Sequence, residues 1–418
     1  MTQRSDETGD FVVAYYSGDR RTGSLAMVRR QGGETRIEPI PPLPETGLPP
    51  ELRPVFIGLD APERKVILLD PESKEIRAQE GFPADAFPAH IYEDPESRRR
   101  WFMNDGDKET GNDRLNCGDG GSSVTVIEDV DSVRARFLKT ICVGRGHHQA
   151  CFSRPTASAP EVPRRAWISN LKDGSISVLG NDPAEGDDFL RLLDTIDLSE
   201  PEREEGGRGG IPNNAFPHGL VFSPLTGKLY NLNNGYGNIA VIDPRSCRIE
   251  DRIPFKGHSN LFMVPGGRYI IGRGADRKSD PAHVMAHLTV LDLETMTVAD
   301  RLTLPDIYVS KYYFDPDGTR LFMTTGSSGS PEQQANLKSD ALLIVDLTTL
   351  PRLVLRRELR LGAASGSLAV ARTDRGLRLY SSNGEAGAIV IIDGDRDEIL
   401  ETVPVGECMS HSRVWLPG

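Results

Sequence analysis

The sequence has few histidines and cysteines and no long apolar run, and these shortages exclude several classes of protein. No apolar segment approaches the roughly 20 residues that a membrane-spanning helix needs, and the first ten residues, MTQRSDETGD, are polar and acidic, unlike a signal peptide. The net charge of −12 argues against binding to nucleic acid, which requires clustered Lys and Arg. We expect a cytoplasmic protein as the sequence stands, or a periplasmic one if a signal peptide has been removed.

The five cysteines lie far apart in the sequence and form no CxxC motif; they are Cys117, Cys142, Cys151, Cys247 and Cys408. Scattered cysteines of this kind are typical of reduced thiols in a protein core. The sequence therefore argues against an iron–sulfur cluster and against a cysteine-rich zinc site.

Units of four short apolar segments repeat along the chain, most clearly from Pro217, Gly257, Val309 and Ser365. In each unit the first segment ends in a Pro/Asp/Gly turn, the second in a polar loop, the third is β-branched, and the fourth alternates apolar and polar residues. Such units, repeating at roughly 40–60 residues, are typical of β-propeller blades. We predict an all-β fold and a single β-propeller domain over residues 1–418, of which about residues 1–10 form a polar tail.

The two ends of the chain each supply part of one blade. The segment FVVAYYSGDRRTGSLAMVRR, residues 11–30, lacks a first strand, and SHSRVWLPG, residues 410–418, offers one. We therefore predict a closed propeller whose N- and C-terminal strands pair, which protects the exposed strand edges. Residues 54–79 form a short unit. Merging it with the N-terminal strands gives seven blades, which we favour, and counting it separately gives eight.

Histidines recur at the start of the first strand of the predicted blades. Because first strands line the channel of a propeller, these residues should converge at one mouth; they are His90, His147 or His148, His218, His258 and His411. Two such positions in each of seven blades would hold about 0.3 of the eight histidines by chance. Comparison of HHQACFSRP with PHGLVFSP assigns His148 to the axis and His147 to the preceding loop. The other two blades offer Lys311 and either Ser365 or Ser367.

A ring of histidines suggests a metal site, since neutral imidazole is the commonest metal ligand. Without a cysteine pattern, copper fits best, and zinc or iron would also suit such ligands. Alternatively, a mixture of His, Lys and Arg at the mouth could hold an anion without metal. We expect Lys311 and Arg273 to position substrate and Asp105, in an adjoining loop, to help wall the site. His283 and His287, in HVMAH, are expected to belong to an insertion loop.

The repeats resemble those of the YVTN-type β-propeller family over nearly the whole chain. The histidines resemble those of the copper-bearing propellers, the nitrous oxide reductases and thiocyanate dehydrogenases, in which such residues hold a multinuclear copper centre. The resemblance implies a copper-dependent oxidoreductase that acts on a small polar or anionic molecule and uses a separate electron-transfer protein. Lys311 departs from that pattern, since a further histidine would suit a copper cluster. The alternative is a non-catalytic propeller that presents loops to a protein partner, and fold alone does not decide between the two.

Overall fold

Antiparallel sheets make up almost all of the structure. The computed structural model describes residues 9–17, 24–39, 55–60, 65–69, 76–79, 88–105, 117, 122–129, 136–146, 148–406 and 408–415. Seven sheets of four strands and one of three strands form within these residues. The four-stranded sheets are called blades 1 to 7 in chain order, and blade 1 contains both ends of the chain.

The first half of the chain contributes β1–β3 to blade 1, then a three-stranded sheet, then blades 2 and 3. The strands of blade 1 are β1 (Phe11–Ser17), β2 (Ser24–Gln31) and β3 (Glu34–Pro39). The three-stranded sheet contains β4 (Val55–Asp60), β5 (Lys65–Leu69) and β6 (Ile76–Gln79). Blade 2 contains β7 (Pro88–Glu93), β8 (Arg99–Asn104), β9 (Ser123–Glu128) and β10 (Arg136–Cys142). Blade 3 contains β11 (His148–Ser153), β12 (Arg165–Asn170), β13 (Ser175–Gly180) and β14 (Leu192–Asp197).

The second half contributes blades 4 to 7 and the last strand of blade 1. Blade 4 contains β15 (Pro217–Ser223), β16 (Lys228–Asn233), β17 (Asn238–Asp243) and β18 (Arg248–Pro254). Blade 5 contains β19 (His258–Met263), β20 (Tyr269–Asp276), β21 (Met285–Asp292) and β22 (Thr297–Pro305). Blade 6 contains β23 (Val309–Phe314), β24 (Arg320–Thr325), β25 (Ala341–Asp346) and β26 (Val354–Arg360). Blade 7 contains β27 (Ser365–Thr373), β28 (Gly376–Asn383), β29 (Ala388–Asp393) and β30 (Glu398–Pro404), and β31 (Cys408–Trp415) follows.

The chain ends pair as the sequence predicts. β31 lies antiparallel to β1, with Val12 opposite Trp415, and completes a sheet in the order β3-β2-β1-β31. β31 also contacts β27 of blade 7, just as the first strands of blades 3, 4 and 5 contact one another. Each blade therefore presents one edge strand to the axis, and the chain ends share a blade.

The strands β4, β5 and β6 do not join the sheet of the N-terminal strands, so the predicted merging is wrong. β3 forms the outer edge of blade 1 through its pairing with β2, and β4 contacts β31 at the inner edge. These three strands instead pair with one another, in the order β4-β5-β6. The seven complete blades that we favoured are present, and this shorter sheet stands beside them.

Apolar side chains from both faces of each blade meet those of the neighbouring blades. Between blades 4 and 5 the buried core includes Tyr230, Leu232 and Ile270, and between blades 5 and 6 it includes Ile271 and Leu321. Ile270 and Ile271 face opposite sides because successive residues of a strand alternate. The third strands are buried along their whole length in several blades, as their β-branched composition predicts.

Helices are few and short in the described residues. The α-helix α1 (Pro331–Asn336) lies between β24 and β25, and 3-10 turns span Pro183–Asp188, Pro201–Arg203 and Glu205–Gly207. None of the helices is long and apolar enough to cross a membrane.

One cysteine pair contradicts the expectation of reduced thiols. Cys117 and Cys142 form a disulfide, although 25 residues separate them in the sequence. The hairpin of β9 and β10 returns Cys142 to a position opposite Ser123, near the end of the loop that carries Cys117. Sequence spacing does not show this proximity. Cys151 and Cys247 are free thiols, and the side chain of Cys408 lies outside the described residues.

Candidate functional site

The inner strands of blades 2 to 6 enclose a cavity of about 880 Å³. Polar residues from β20 and from the first halves of the inner strands line one part of it: His90, Gln149, Asn260, Arg273, Ser310 and Lys311. Farther along the inner strands the walls include Ala150, Leu220 and Leu261. Binding sites for small molecules commonly measure about 300–1,000 Å³. A cavity of metabolite size thus lies where the repeat predicts the channel.

Arg273 is the predicted substrate-positioning residue whose environment is most unusual. Its Nη1 donates to the carbonyl oxygens of Val309 and Ser310 in blade 6, at 2.8 and 2.9 Å. Burial lowers the pKa of the guanidinium, while Tyr308 and Tyr312 act in the opposite direction. Among the described residues no Asp or Glu pairs with Arg273, and its Nε and Nη2 donate to no protein acceptor. The cavity wall therefore carries a half-buried positive charge with donors still available.

Two tyrosines, which the sequence analysis did not single out, line the same cavity. Tyr92 lies on β7 and Tyr312 on β23. Burial raises the pKa of Tyr92 far above its usual value, with smaller contributions from Tyr312, Asp105 and Cys151. Burial also raises the pKa of Tyr312, whose ring stacks on Phe262 with centroids 3.5 Å apart. Both phenols therefore remain neutral and retain a hydroxyl donor. In the sequence, these tyrosines could have been recognised only as aromatic residues within predicted inner strands.

Lys311 and His218 donate hydrogen bonds between neighbouring blades. Nζ of Lys311 donates to the Gly366 carbonyl of blade 7, and Nδ1 of His218 bonds to the Ser259 carbonyl of blade 5. The acceptor residues Ser259 and Gly366 fall at β-bulges, where the register of the inner strand shifts. A bulge leaves a residue outside the regular ladder, so its carbonyl is accessible to a side chain of the preceding blade. Lys311 also lines the cavity, and His90 lines it from β7.

His148 begins β11, as the comparison of segments predicts, but its ring does not line the cavity. The side chain is fully buried, with Nδ1 3.0 Å from Oδ1 of Asp105 and Nε2 2.8 Å from the carbonyl oxygen of Gly144. Both ring nitrogens thus face acceptors. Asp105 contacts His148 across blades 2 and 3 and is absent from the cavity lining. Its expected role in walling the site stays a prediction. His147 lies outside the described residues.

His258 turns into blade 5 and packs against His287. Its ring stacks on Phe255 with centroids 3.9 Å apart, and Nε2 lies 2.8 Å from Oγ1 of Thr289. The edge of His287 lies 4.9 Å away, between ring centroids. Burial first, and then the proximity of His287, lower the pKa of His258 to about 4.

Two glycines of the IGRG segment make room for these imidazoles. A Cβ on Gly272 would lie 2.9 Å from Cδ2 of His258, and one on Gly274 would lie 2.3 Å from Nε2 of His287. The expectation that His287 lies in an insertion loop is wrong, because it is buried in β21. His283 precedes that strand, is exposed, and places Nδ1 2.7 Å from Oδ1 of Asp306.

The described residues do not assemble a metal centre. No group of three or more His, Cys, Asp or Glu side chains that could hold a metal ion occurs among them. His148, His218 and His258 have ring nitrogens bonded within the protein, so this donor set does not fit a copper cluster as it stands. The backbone of His411 lies in β31, and its side chain is outside the described residues. The copper site stays a prediction.

Comparison with known proteins identifies the fold alone. No protein family and no curated protein matches the sequence. The periplasmic gluconolactonase of Pseudomonas aeruginosa is similar in structure, with a TM-score of 0.55 and 12% identity over 98% of this chain and 99% of that one. A protein from Lactobacillus plantarum gives 0.53 and 13% over 98% and 100%.

A chain of hydrazine synthase from Kuenenia stuttgartiensis gives a TM-score of 0.50 and 15% identity over 79% of this chain and 90% of that one. At these identities the similarity concerns architecture, and together with the seven four-stranded blades it confirms the predicted β-propeller. Membership of the YVTN-type family gains no support from a family match.

Proposed function

We propose that the central channel binds a small anionic molecule, with Arg273 as its anchor, and that the protein acts on this molecule as an enzyme. The observation that carries the proposal is the half-buried guanidinium, which lines the cavity and has no carboxylate partner among the described residues. A buried charge without a partner is costly. An anionic ligand would neutralise it and accept hydrogen bonds from Nε and Nη2, since a guanidinium presents paired donors that suit carboxylates and other oxyanions.

The surroundings of Arg273 support an anion rather than a cation. Tyr92 and Tyr312 retain neutral hydroxyl groups because burial raises the pKa of each phenol. Asn260 and Gln149 add amide groups to the same wall, and Lys311 adds a second basic side chain. Such groups orient a ligand by hydrogen bonding, while the apolar walls exclude water.

Titration calorimetry with acetate, sulfate, thiocyanate and gluconate tests the binding proposal. Gluconate is included because one structural neighbour is named a gluconolactonase. Replacing Arg273 by Gln should weaken binding of the preferred anion by about 30-fold, since a hydrogen bond to a charged group contributes about 1.5–3 kcal/mol. Arg357→Gln, which removes an exposed arginine from β26, serves as the control and should bind normally. Unchanged affinity in Arg273→Gln would contradict the proposal.

For the reaction we retain the hypothesis of a metal-dependent, copper-containing oxidoreductase served by a separate electron-transfer protein. Its test is elemental analysis of protein expressed with copper, zinc and iron available. A stoichiometric metal that survives gentle dialysis would support it. Substoichiometric metal would favour the alternative, a propeller that presents loops to a protein partner.

The disulfide bears on where the protein functions. Disulfides persist mainly in oxidising compartments such as the periplasm. The Cys117–Cys142 bond therefore supports the periplasmic alternative over the cytoplasmic one. Mass spectrometry of the native protein without reductant would test this, because a pair of reduced thiols would remove the support.

A further inference from the structure

Two insertion loops of neighbouring blades dock on one another. One joins β20 to β21 in blade 5, and the other joins β24 to β25 in blade 6 and contains α1. The buried amide of Gln333 donates to the carbonyl oxygens of Arg277, at 3.1 Å, and of Asp280, at 2.8 Å. Asn336 donates to the carbonyl oxygen of Ala282 at 3.0 Å. The neighbouring blade thus fixes the backbone that carries Arg277.

Arg277 has no carboxylate partner among the described residues. Its guanidinium lies over the ring of Tyr308, 5.8 Å from the centroid, and Nη1 donates to Oγ of Ser328 at 2.8 Å. The two carboxylates of the same loop are occupied elsewhere. Asp276 accepts from the backbone and side chain of Ser279, and these bonds, with one from the Lys278 amide, lower its pKa to about 2. The carboxylate of Asp280 accepts from two backbone amides farther along the loop.

The guanidinium groups of Arg273 and Arg277 contact adjacent residues of one short segment. Arg277 lies over Tyr308, while Arg273 donates to the carbonyl oxygens of Val309 and Ser310. Both basic side chains therefore contact the same run of three successive residues, 308–310. Arg273 lines the cavity and Arg277 stands outside it, four residues farther along the chain. Two like charges so placed favour a ligand that carries two negative charges.

We propose that Arg277 is a second anchor, and that the ligand of the channel is a small dianion of the dicarboxylate class. This inference rests on the proposed function, because it assumes that Arg273 holds the first carboxylate. One carboxylate binds Arg273 inside the cavity, and the other accepts from Arg277 at the mouth. Arg277 thereby determines specificity between monoanions and dianions.

The test compares succinate with propionate, which differ by one carboxylate, in titration calorimetry at low ionic strength. Wild type should bind succinate more tightly than propionate by at least about tenfold. Arg277→Gln should lower the affinity for succinate about tenfold and leave that for propionate within about twofold. The control is Lys278→Gln, which removes the same charge from the adjacent, exposed position of the same loop. It should leave both affinities unchanged, and thermal unfolding should confirm that both variants are folded.

The possible results separate this inference from the proposed function. If Arg277→Gln and Lys278→Gln weaken succinate binding equally, a general charge effect is responsible and the second anchor is wrong. If Arg277→Gln changes neither affinity while Arg273→Gln weakens binding by about 30-fold, the second anchor is wrong and the proposed function stands. If wild type binds neither succinate nor propionate, nor any of acetate, sulfate, thiocyanate and gluconate, the proposed function itself fails.

Discussion

Basic side chains on the two faces of β20 differ in how fully the protein satisfies their hydrogen-bonding groups. On the face towards blade 4, the imidazoles of His258 and His287 pack over Gly272 and Gly274 and bond to Thr289 and to the backbone. On the face towards blade 6, the guanidinium of Arg273 is half-buried and retains donors without a protein acceptor among the described residues. Both faces lie near the same mouth. The difference is whether the protein itself satisfies the buried nitrogen atoms.

This contrast separates stabilising residues from candidate binding residues. A buried polar group whose partners are all protein atoms mainly specifies packing, whereas one with unused donors can accept a ligand. The histidines of blade 5 belong to the first kind, although the sequence predicted that one of them, His258, binds metal. Arg273 belongs to the second kind. Substitutions on the blade 4 face of β20 should therefore change stability, and substitutions on the blade 6 face should change ligand binding.

The largest loss of stability should follow when a side chain fills the space that Gly274 leaves for the imidazole of His287. A Cβ at Gly274 would lie 2.1 Å from the carbonyl oxygen of Gly257 and 2.3 Å from Nε2 of His287. Because one of these atoms is backbone, Gly274→Ala should reduce the free energy of unfolding by about 3 kcal/mol, at the upper end of typical overpacking costs. Urea unfolding followed by tryptophan fluorescence measures this. Gly326→Ala is the control, since its nearest neighbour would be Cβ of Ser310 at 3.4 Å, and equal losses in the two variants would contradict the argument.

Acidic pH should also destabilise the protein, because His258 is packed on the blade 4 face of β20 in its neutral form. Burial and the neighbouring His287, with Arg301 contributing less, lower the pKa of His258 from 6.5 to about 4 in the folded protein. The unfolded protein therefore binds the proton more readily, so stability is complete above about pH 6.5 and falls as the pH decreases towards 4. For His258 alone the loss approaches about 3 kcal/mol below pH 4.

Urea midpoints at pH 7 and pH 4.5 test this dependence. His258→Gln should be less stable than wild type at pH 7, because it loses packing, but its stability should fall less on acidification. Carboxylates also titrate in this interval, so the informative quantity is the difference between the two proteins. Parallel pH profiles would show that His258 is not the titrating group.

The sequence predicted the blades better than it predicted the site, for a physical reason. Alternation of apolar residues and turn composition act locally, so the strand pattern and the shared blade of the chain ends could be inferred. The direction of a side chain at the start of an inner strand depends on a bulge, which shifts the register by one residue. Such shifts occur between His258 and Asn260 and between Val309 and Lys311. His258 therefore faces Thr289 instead of a common centre, which no residue pattern revealed.

Arg273 and Lys311 were predicted from the sequence because loops and strand beginnings meet at one mouth of a propeller, and both line the cavity. Arg277 lies on the same segment as Arg273, yet its position depends on Gln333 from another blade. The Cys117–Cys142 bond likewise depends on how one hairpin returns beside a long loop. Contacts between distant segments of this kind are specified by the assembled fold and leave no local pattern.

The smallest effect on stability should come from Arg273, despite its burial. Arg273→Gln should change the free energy of unfolding by less than about 1 kcal/mol, because the lost bonds to Val309 and Ser310 are offset by removal of a desolvated charge that has no carboxylate partner. The matched comparison is Arg99→Gln. Arg99 is buried and lies 3.6 Å from the buried carboxylate of Asp94, so its removal takes away the cation of that ion pair, at a cost of about 3 kcal/mol. An anion present at 100 times its wild-type Kd should stabilise wild type by about 2.7 kcal/mol and, because Arg273→Gln should bind it about 30-fold more weakly, stabilise that variant by only about 0.9 kcal/mol. Urea unfolding with and without the anion measures both quantities. A large loss of stability in Arg273→Gln would place Arg273 with the histidines, as a residue that holds blades together rather than one that binds a ligand.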